Sequence, residues 1–172
     1  MLPRLALAGA LLALPLTGAL PAPPQAANAQ QVGNLDAPTP KPKAFVLYAA
    51  EQQNVAAGKR SVLELHFRVV DGFHVNSHTP KSELLIPTQI TLQSAAGVRA
   101  EAVQYPAGTS YSFSFDPTEK LDVYTGAFTV KLPVVAEAGA HTVDGTLRYQ
   151  ACDHAACYPP KSLPVQVIFT AK

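Results

Sequence analysis

The sequence has no tryptophan, only two cysteines and no excess of charge of either sign. Its 172 residues carry 13 Lys and Arg against 12 Asp and Glu, which gives a formal net charge of +1. Binding to nucleic acid or to an anionic membrane surface needs a basic field, so neither class of function is indicated. The length corresponds to one domain with appended segments. Two cysteines leave only one intramolecular disulfide pairing to consider.

The N-terminus has the pattern of a secretory signal peptide. Residues 1–29 hold a single charge, Arg4, followed by an apolar run over residues 5–20 and then Ala27-Asn28-Ala29. A basic start, a short apolar core and an A-x-A site are typical of a cleaved signal. The apolar run is interrupted by Pro15 and is shorter than the roughly 20 residues of a spanning helix. We expect cleavage after residue 29, export without membrane insertion, and a compartment in which disulfides persist.

A proline-rich segment follows the expected signal. Residues 30–43 contain Pro38, Pro40 and Pro42 and show no apolar periodicity, which predicts a flexible lead-in. The folded unit is therefore expected over residues 44–172, a length sufficient for one hydrophobic core.

The rest of the chain alternates between apolar and polar residues in the manner of half-buried strands. Leu63, Leu65, Phe67 and Val69 share one face of a predicted strand over residues 62–69. The same period of two recurs over residues 128–132, 146–150 and 165–169, and more weakly over 45–49, 88–92 and 98–105.

Turn signals separate these runs, and no segment has sustained helical periodicity. The turns are predicted at residues 57–59, 71–72, 96–97, 106–108, 116–117, 138–139 and 159–160, where Gly and Pro concentrate. Seven to nine short strands with regular turns predict an all-β, immunoglobulin-like β-sandwich. The Cys–Trp–Cys core of antibody domains is excluded because tryptophan is absent.

The two cysteines, Cys152 and Cys157, are separated by only four residues. Closing a loop of about six residues stabilises a fold by roughly 2 kcal/mol, against about 4.7 kcal/mol for a loop of about 100 residues. The pair is thus a weak staple, whereas redox exchange benefits from two sulfurs that stay together when reduced. A structural staple and metal ligation remain the alternatives at this point.

The residues around the cysteines resemble a known active-site segment. The run Tyr-Gln-Ala-Cys over residues 149–152, with Cys-Tyr-Pro-Pro over 157–160, is similar to the N-terminal periplasmic domain of the thiol:disulfide interchange protein DsbD. Weaker matches follow in order along residues 44–170. They are Asp71-Gly72-Phe73-His74-Val75, Leu85-Ile86-Pro87-Thr88, Tyr105-Pro106-x-Gly108, Val123-Tyr124-x-Gly126, Phe128 and Leu132-Pro133-Val134.

The resemblance implies a periplasmic, immunoglobulin-like protein-disulfide reductase. Its Cys152–Cys157 disulfide would accept electrons and pass them to thioredoxin-like periplasmic partners through mixed disulfides, with Cys157 forming the mixed disulfide and with no cofactor or metal. The membrane and thioredoxin-like domains of DsbD do not fit in this length, so we expect a free-standing domain served by a separate membrane thiol-electron donor.

Several further residues are candidates to support the cysteines. His154 lies inside the cysteine loop and could stabilise a thiolate, while Tyr149 and Tyr158 flank the pair. In the family, an aromatic residue on a cap loop covers the disulfide. The corresponding stretch is residues 108–120, and Phe113 or Phe115 is the candidate for the cap. The alternating aromatics of this stretch also fit one face of a strand. His74 and Asn76 occupy positions where the family has tyrosines.

Two other functions are compatible with these residues. His74 and His78 have H-x3-H spacing and, with Cys152 and Cys157, could complete a Cys2His2 set for zinc or copper. An interaction module with a purely structural disulfide is the third possibility.

Overall fold

A computed structural model describes residues 43–113 and 116–172, and every regular element in this part of the chain is a β-strand. The expected signal peptide and most of the lead-in lie outside the described residues, as does Phe115. In chain order the strands are β1 Val46–Ala49, β2 Gln53–Val55, β3 Arg60–Val69, β4 His74–Asn76, β5 Gln89–Leu92, β6 Val98–Ala100, β7 Thr109–Phe113, β8 Asp116–Tyr124, β9 Ala127–Ala136, β10 Gly139–Tyr149, β11 Ala151–Cys152 and β12 Lys161–Ala171.

Three four-stranded sheets are formed, in the orders β1-β3-β9-β6, β2-β12-β10-β5 and β11-β4-β8-β7. The first two are built on long antiparallel pairs, β3 with β9 and β10 with β12. In β3 the residues Leu63, Leu65, Phe67 and Val69 are all at most 2% exposed. Their polar neighbours Glu64 and Arg68 are exposed, so the predicted alternation is confirmed.

One hydrophobic core joins the inner faces of these strands. Leu132 of β9, Leu147 of β10 and Phe169 of β12 are completely buried in it. Each such side chain stabilises the fold by about 1.5–3 kcal/mol relative to an exposed position. The protein is an all-β, immunoglobulin-like β-sandwich, as the sequence predicts.

The third sheet carries the cysteines. Its members β11 and β4 pair in register, with Ala151 opposite Val75 and Cys152 opposite His74. Val75 and Ala151 belong to the hydrophobic core. Because successive residues of a strand point to opposite faces, His74 and Cys152 share the other face of this sheet.

The turn prediction at residues 116–117 is wrong. The Asp116-Pro117 pair predicts a turn, but Asp116 begins β8, opposite Phe113 of β7, beside a register shift in that pairing. Proline is tolerated at the start of a strand or at a bulge, which explains the error. The turn at Asp71-Gly72 is confirmed, since Gly72 has a φ of 84°, a conformation that glycine adopts without steric cost.

Candidate functional site

Cys152 and Cys157 form a disulfide across a tight hairpin, with the sulfurs 2.01 Å apart. The Tyr158 N–H donates to the Ala151 carbonyl at 2.8 Å, and the Asp153 N–H donates to the Ala156 carbonyl at 2.9 Å. These bonds flank the cysteines, so the cysteines form a non-hydrogen-bonded pair of an antiparallel ladder. Side chains approach most closely at such pairs. The hairpin backbone therefore brings the sulfurs together.

The two ends of the disulfide differ in accessibility. Cys152 is 0% exposed, whereas Cys157 is an exposed residue. A thiolate must reach a sulfur to cleave a disulfide, and the direction of its approach decides which sulfur becomes the leaving group. The hairpin thus presents Cys157 to an incoming thiolate and encloses Cys152.

Asp153 organises the loop between the cysteines. Its Oδ1 accepts hydrogen bonds from the backbone N–H groups of Ala155 and Ala156, both at 2.8 Å. Its Oδ2 accepts a hydrogen bond from the hydroxyl of Tyr158. The Tyr158 hydroxyl, followed by the two backbone donors, lowers the pKa of Asp153 to about 2. Asp153 is therefore a carboxylate at neutral pH and serves as the internal cap of the loop.

His154, the candidate thiolate-stabilising residue, is exposed and lies at the edge of a cleft. The cleft has a volume of about 370 Å³. It joins the cysteine loop to the turn before β4, to β7 and to the β8–β9 turn. Its lining residues are Val70, Asp71, Gly72, Phe73, His74, Tyr111, Thr125, Gly126 and His154.

Among the predicted supporting residues, His74 is the one that pairs with a cysteine across the sheet. It lies directly opposite Cys152 on β4 and is 2% exposed. Its ring is 4.0 Å from the ring of Tyr111 and 5.8 Å from that of Phe113, measured between centroids. Burial lowers the pKa of His74, while the charge of Asp153 opposes that shift. Within the described residues, the buried Nε2 atom has no hydrogen-bond partner.

Asn76 is hydrogen-bonded to Gln150, which is not among the site residues predicted from the sequence. The Asn76 Nδ2 group donates to the Ile86 carbonyl at 2.9 Å and to Gln150 Oε1 at 3.2 Å. Gln150 Oε1 also accepts from the Ile86 N–H, and its Nε2 donates to the Tyr158 carbonyl at 3.3 Å. Gln150 thus connects β4, the loop before β5 and the cysteine hairpin. Its place inside the Tyr-Gln-x-Cys motif was the available signal.

The two flanking tyrosines pack toward the core. Tyr149 is 1% exposed, and its hydroxyl accepts a hydrogen bond from the Phe45 N–H at 3.3 Å. The ring of Tyr158 stacks on that of Phe45 with centroids 5.0 Å apart, and lies 6.0 Å from Phe73. Tyr158 therefore anchors the hairpin at two points, through its ring and through its bond to Asp153.

The segment expected to contain the aromatic cap is largely a β-hairpin, β7–β8, so the strand interpretation of its aromatics holds for Tyr111 and Phe113. These two rings meet edge to face at 5.6 Å and both contact His74. Tyr111, which the sequence reasoning did not select, is the nearer of the two to His74. The signal for it was its alternation with Phe113.

The two histidines of the H-x3-H motif make different contacts. The ring of His78 stacks on Tyr105 at 3.7 Å, and its Nδ1 lies 3.0 Å from the Thr88 carbonyl oxygen. His74 packs against Tyr111 instead. Throughout the described ranges, no three His, Cys, Asp or Glu side chains are grouped as a metal ion requires. The structure gives the Cys2His2 alternative no support.

The same part of the chain, residues 43–113 and 116–172, contains no helix that is long and apolar enough to cross a membrane.

Comparison with solved structures finds distant likenesses. The DsbD N-terminal domain of Neisseria meningitidis in the reduced form is 18% identical, over 63% of this chain and 81% of that chain, with a TM-score of 0.41. The complex between the DsbD N-terminal and PilB N-terminal domains of Neisseria meningitidis is 18% identical, over 61% of this chain and 73% of that chain, with a TM-score of 0.41. The N-terminal periplasmic domain of ScsB from Proteus mirabilis is 10% identical, over 71% of this chain and 44% of that chain, with a TM-score of 0.47.

No curated protein sequence matches the chain significantly. The family model described as "Thiol:disulfide interchange protein DsbD, N-terminal" matches residues 41–167. This match spans most of the chain and includes the cysteine hairpin, the cleft and every strand of the described fold except the last residues of β12. The chain therefore belongs to the family of DsbD N-terminal domains.

Proposed function

We propose that the protein is a periplasmic thiol:disulfide oxidoreductase that relays electrons through its Cys152–Cys157 pair. Membership of the interchange family supports thiol–disulfide chemistry as the activity. The observation that carries the proposal is the unequal exposure of the pair, since Cys157 is exposed and Cys152 is fully buried.

The exchange begins at Cys157. A donor thiolate attacks the Cys157 sulfur, a mixed disulfide forms there, and Cys152 leaves as a thiolate that takes up a proton. A second donor thiol then cleaves the mixed disulfide and leaves both cysteines reduced. The disulfide gains two electrons and two protons, and the donor leaves as its own disulfide.

Delivery to the acceptor is the same chemistry in reverse. The Cys157 thiolate attacks a disulfide of the acceptor and forms a mixed disulfide, and one acceptor thiol is released. Cys152 then attacks the Cys157 sulfur, which restores the internal disulfide and releases the second acceptor thiol. The acceptor gains the two electrons that the cysteine pair loses.

The partners we propose are thioredoxin-like periplasmic proteins as acceptors and a thiol donor at the membrane. One structure similar to this chain is the complex between the DsbD N-terminal and PilB N-terminal domains of Neisseria meningitidis. The periplasmic compartment that we propose rests on the secretory signal pattern over residues 1–29. Phe113, whose ring contacts that of His74, is the proposed residue that a partner must displace.

Trapping of mixed disulfides tests this assignment. Cys152→Ala retains the exposed sulfur and lacks the residue that resolves the complex, so it should accumulate a covalent adduct with a thioredoxin-like protein. Cys157→Ala is the matched control, because its single sulfur is enclosed. Equal trapping by the two variants, or none by either, would contradict the proposal. Mass spectrometry of the adduct also identifies the partner.

A further inference from the structure

We propose that His74 accepts the proton of Cys152 when Cys152 resolves the mixed disulfide at Cys157, an inference that rests on the proposed function. His74 and Cys152 are register partners on β4 and β11, and their side chains share one face of the sheet. Directly opposite side chains of an antiparallel pair have Cβ atoms about 4.5–5.5 Å apart. The imidazole is therefore within reach of the sulfur once the disulfide no longer fixes its orientation.

The resolving step needs such a base because Cys152 is enclosed. The thiolate is the nucleophile in disulfide exchange, and burial disfavours a charged group. Cys152 is 0% exposed, so water has little access to take up its proton. An adjacent base removes this barrier by general base catalysis.

His74 has the free capacity that this role requires. Its Nε2 atom is buried and, among the residues that the structure describes, has no hydrogen-bond partner while the disulfide is closed. An unpaired buried polar atom destabilises a fold, and a functional role explains why it is retained. Burial lowers the pKa of His74, so the ring is neutral and able to accept a proton at pH 7.

The charged and titratable groups around the ring come from three elements. Asp71 lies in the turn before β4, Tyr111 of β7 packs against the ring, and Asp153 and His154 come from the cysteine loop. The charge of Asp153 stabilises a protonated His74. This carboxylate therefore favours the imidazolium that the resolving step creates.

The step balances in protons and electrons. The Cys152 S–H proton moves to His74, and the Cys152 thiolate attacks the Cys157 sulfur. The Cys152–Cys157 bond forms, the bond from Cys157 to the partner sulfur breaks, and the partner leaves as a thiolate. The cysteine pair is oxidised and the partner is reduced. His74 then releases its proton into the cleft that it lines, which opens to solvent beside His154.

Two-phase kinetics with an aromatic disulfide, dithiobis-nitrobenzoate, separate this step from the first attack. The reduced protein releases one coloured thiolate when Cys157 attacks the reagent, and a second when Cys152 resolves the adduct. His74→Phe retains a ring against Tyr111 but has no basic nitrogen. We expect the rate of its second phase at pH 7 to fall at least about tenfold. General base catalysis typically accelerates a step by about 10²–10⁴-fold, so a loss of this size is within its range. The first phase should be unchanged.

The dependence on pH distinguishes a base from a packing residue. In His74→Phe the second phase should rise with pH and approach the wild-type rate only above about pH 8.5, the ordinary range of thiol ionisation, because the enclosure of Cys152 disfavours its thiolate. His74→Gln, which keeps a polar side chain that does not titrate, should behave in the same way. His66→Gln in β3 is the matched control and should match the wild type.

Either His74 variant overturns the inference if its second phase follows the wild-type rate across the pH range. A lack of rapid first-phase attack in the wild type would instead contradict the proposed function itself. Unfolding curves of each variant, recorded in the disulfide form, establish that the compared proteins are folded.

Discussion

Tyr158 and Asp153 are joined by a hydrogen bond from the phenol hydroxyl to the carboxylate, across the mouth of the cysteine loop. The ring of Tyr158 is held at the same time by its stack on Phe45. The stack fixes one end of the hairpin to the hydrophobic core. The hydrogen bond from the Tyr158 hydroxyl is the largest cause of the low pKa of Asp153.

Replacing Tyr158 by Phe should raise the pKa of Asp153 from about 2 toward its ordinary 3.8. Two backbone donors remain, so the return should be incomplete. Because the folded pKa is depressed, the carboxylate stabilises the fold above its ordinary pKa of 3.8, and this contribution is lost as the pH falls through about 2. Carboxyl-carbon NMR titration measures the shift.

Tyr48→Phe is the control for that titration, since the Tyr48 hydroxyl donates to the Gln166 carbonyl in another part of the fold. An Asp153 pKa that is the same in Tyr158→Phe as in the wild type would show that the hydroxyl contact does not hold the carboxylate.

His74 should make the stability of the disulfide form depend on pH below neutrality. Burial lowers its pKa below the ordinary 6.5, so the unfolded chain binds this proton more readily than the folded one. The free energy of unfolding should therefore fall as the pH is lowered from about 6.5. Urea unfolding at a series of pH values measures this, and His74→Phe should lose that component.

His74→Phe should also be as stable as the wild type at pH 7, or more stable by up to about 1–3 kcal/mol, because it removes an unpaired buried nitrogen. A loss of stability on this substitution would indicate that Nε2 is satisfied in solution.

Gln150→Ala should loosen the cysteine hairpin without unfolding the domain. The Gln150 side chain makes hydrogen bonds to Asn76, Ile86 and Tyr158. Unpaired buried groups cost about 1–3 kcal/mol, so we expect a loss of stability in that range. Amide hydrogen exchange should accelerate in β4 and β11. Gln166→Ala, which removes an exposed bond to Asp144, is the control and should leave both strands protected.

The core and the surface should respond very differently to truncation of leucine. Leu63 is 0% exposed, so Leu63→Ala should lower the free energy of unfolding by about 2–5 kcal/mol. Leu84 is 92% exposed, and Leu84→Ala should change it by less than about 0.5 kcal/mol. Chemical denaturation compares the two, and similar losses would contradict the observed core.

The strands with strict alternation were predictable from sequence, because burial of one face dictates a period of two. β3 shows this at Leu63, Leu65 and Phe67. The short strand β4 was missed because all three of its residues, including His74 and Asn76, are buried. With both faces covered, alternation disappears. The start of β8 was masked by Pro117, whose usual preference is for turns.

The candidate site was only partly predictable. Two cysteines allow only one pairing, but a disulfide rather than a metal site, and Cys157 as its reactive end, were predicted from the family resemblance. The alignment of His74 with Cys152 depends on the register between β4 and β11, which lie far apart in the sequence. The multiple hydrogen bonds of Gln150 also depend on long-range contacts. Local patterns do not encode either relationship.

The cysteine loop is closed by more than its disulfide. Backbone bonds from Tyr158 to Ala151 and from Asp153 to Ala156, together with the Asp153 cap, connect the same two ends. Breaking the sulfur–sulfur bond therefore releases little chain entropy, and the two thiols stay at high effective concentration. In the exchange that we propose, the hairpin is preorganised, so the redox equilibrium should depend on the chemistry of the sulfurs and of the partner rather than on refolding of the loop.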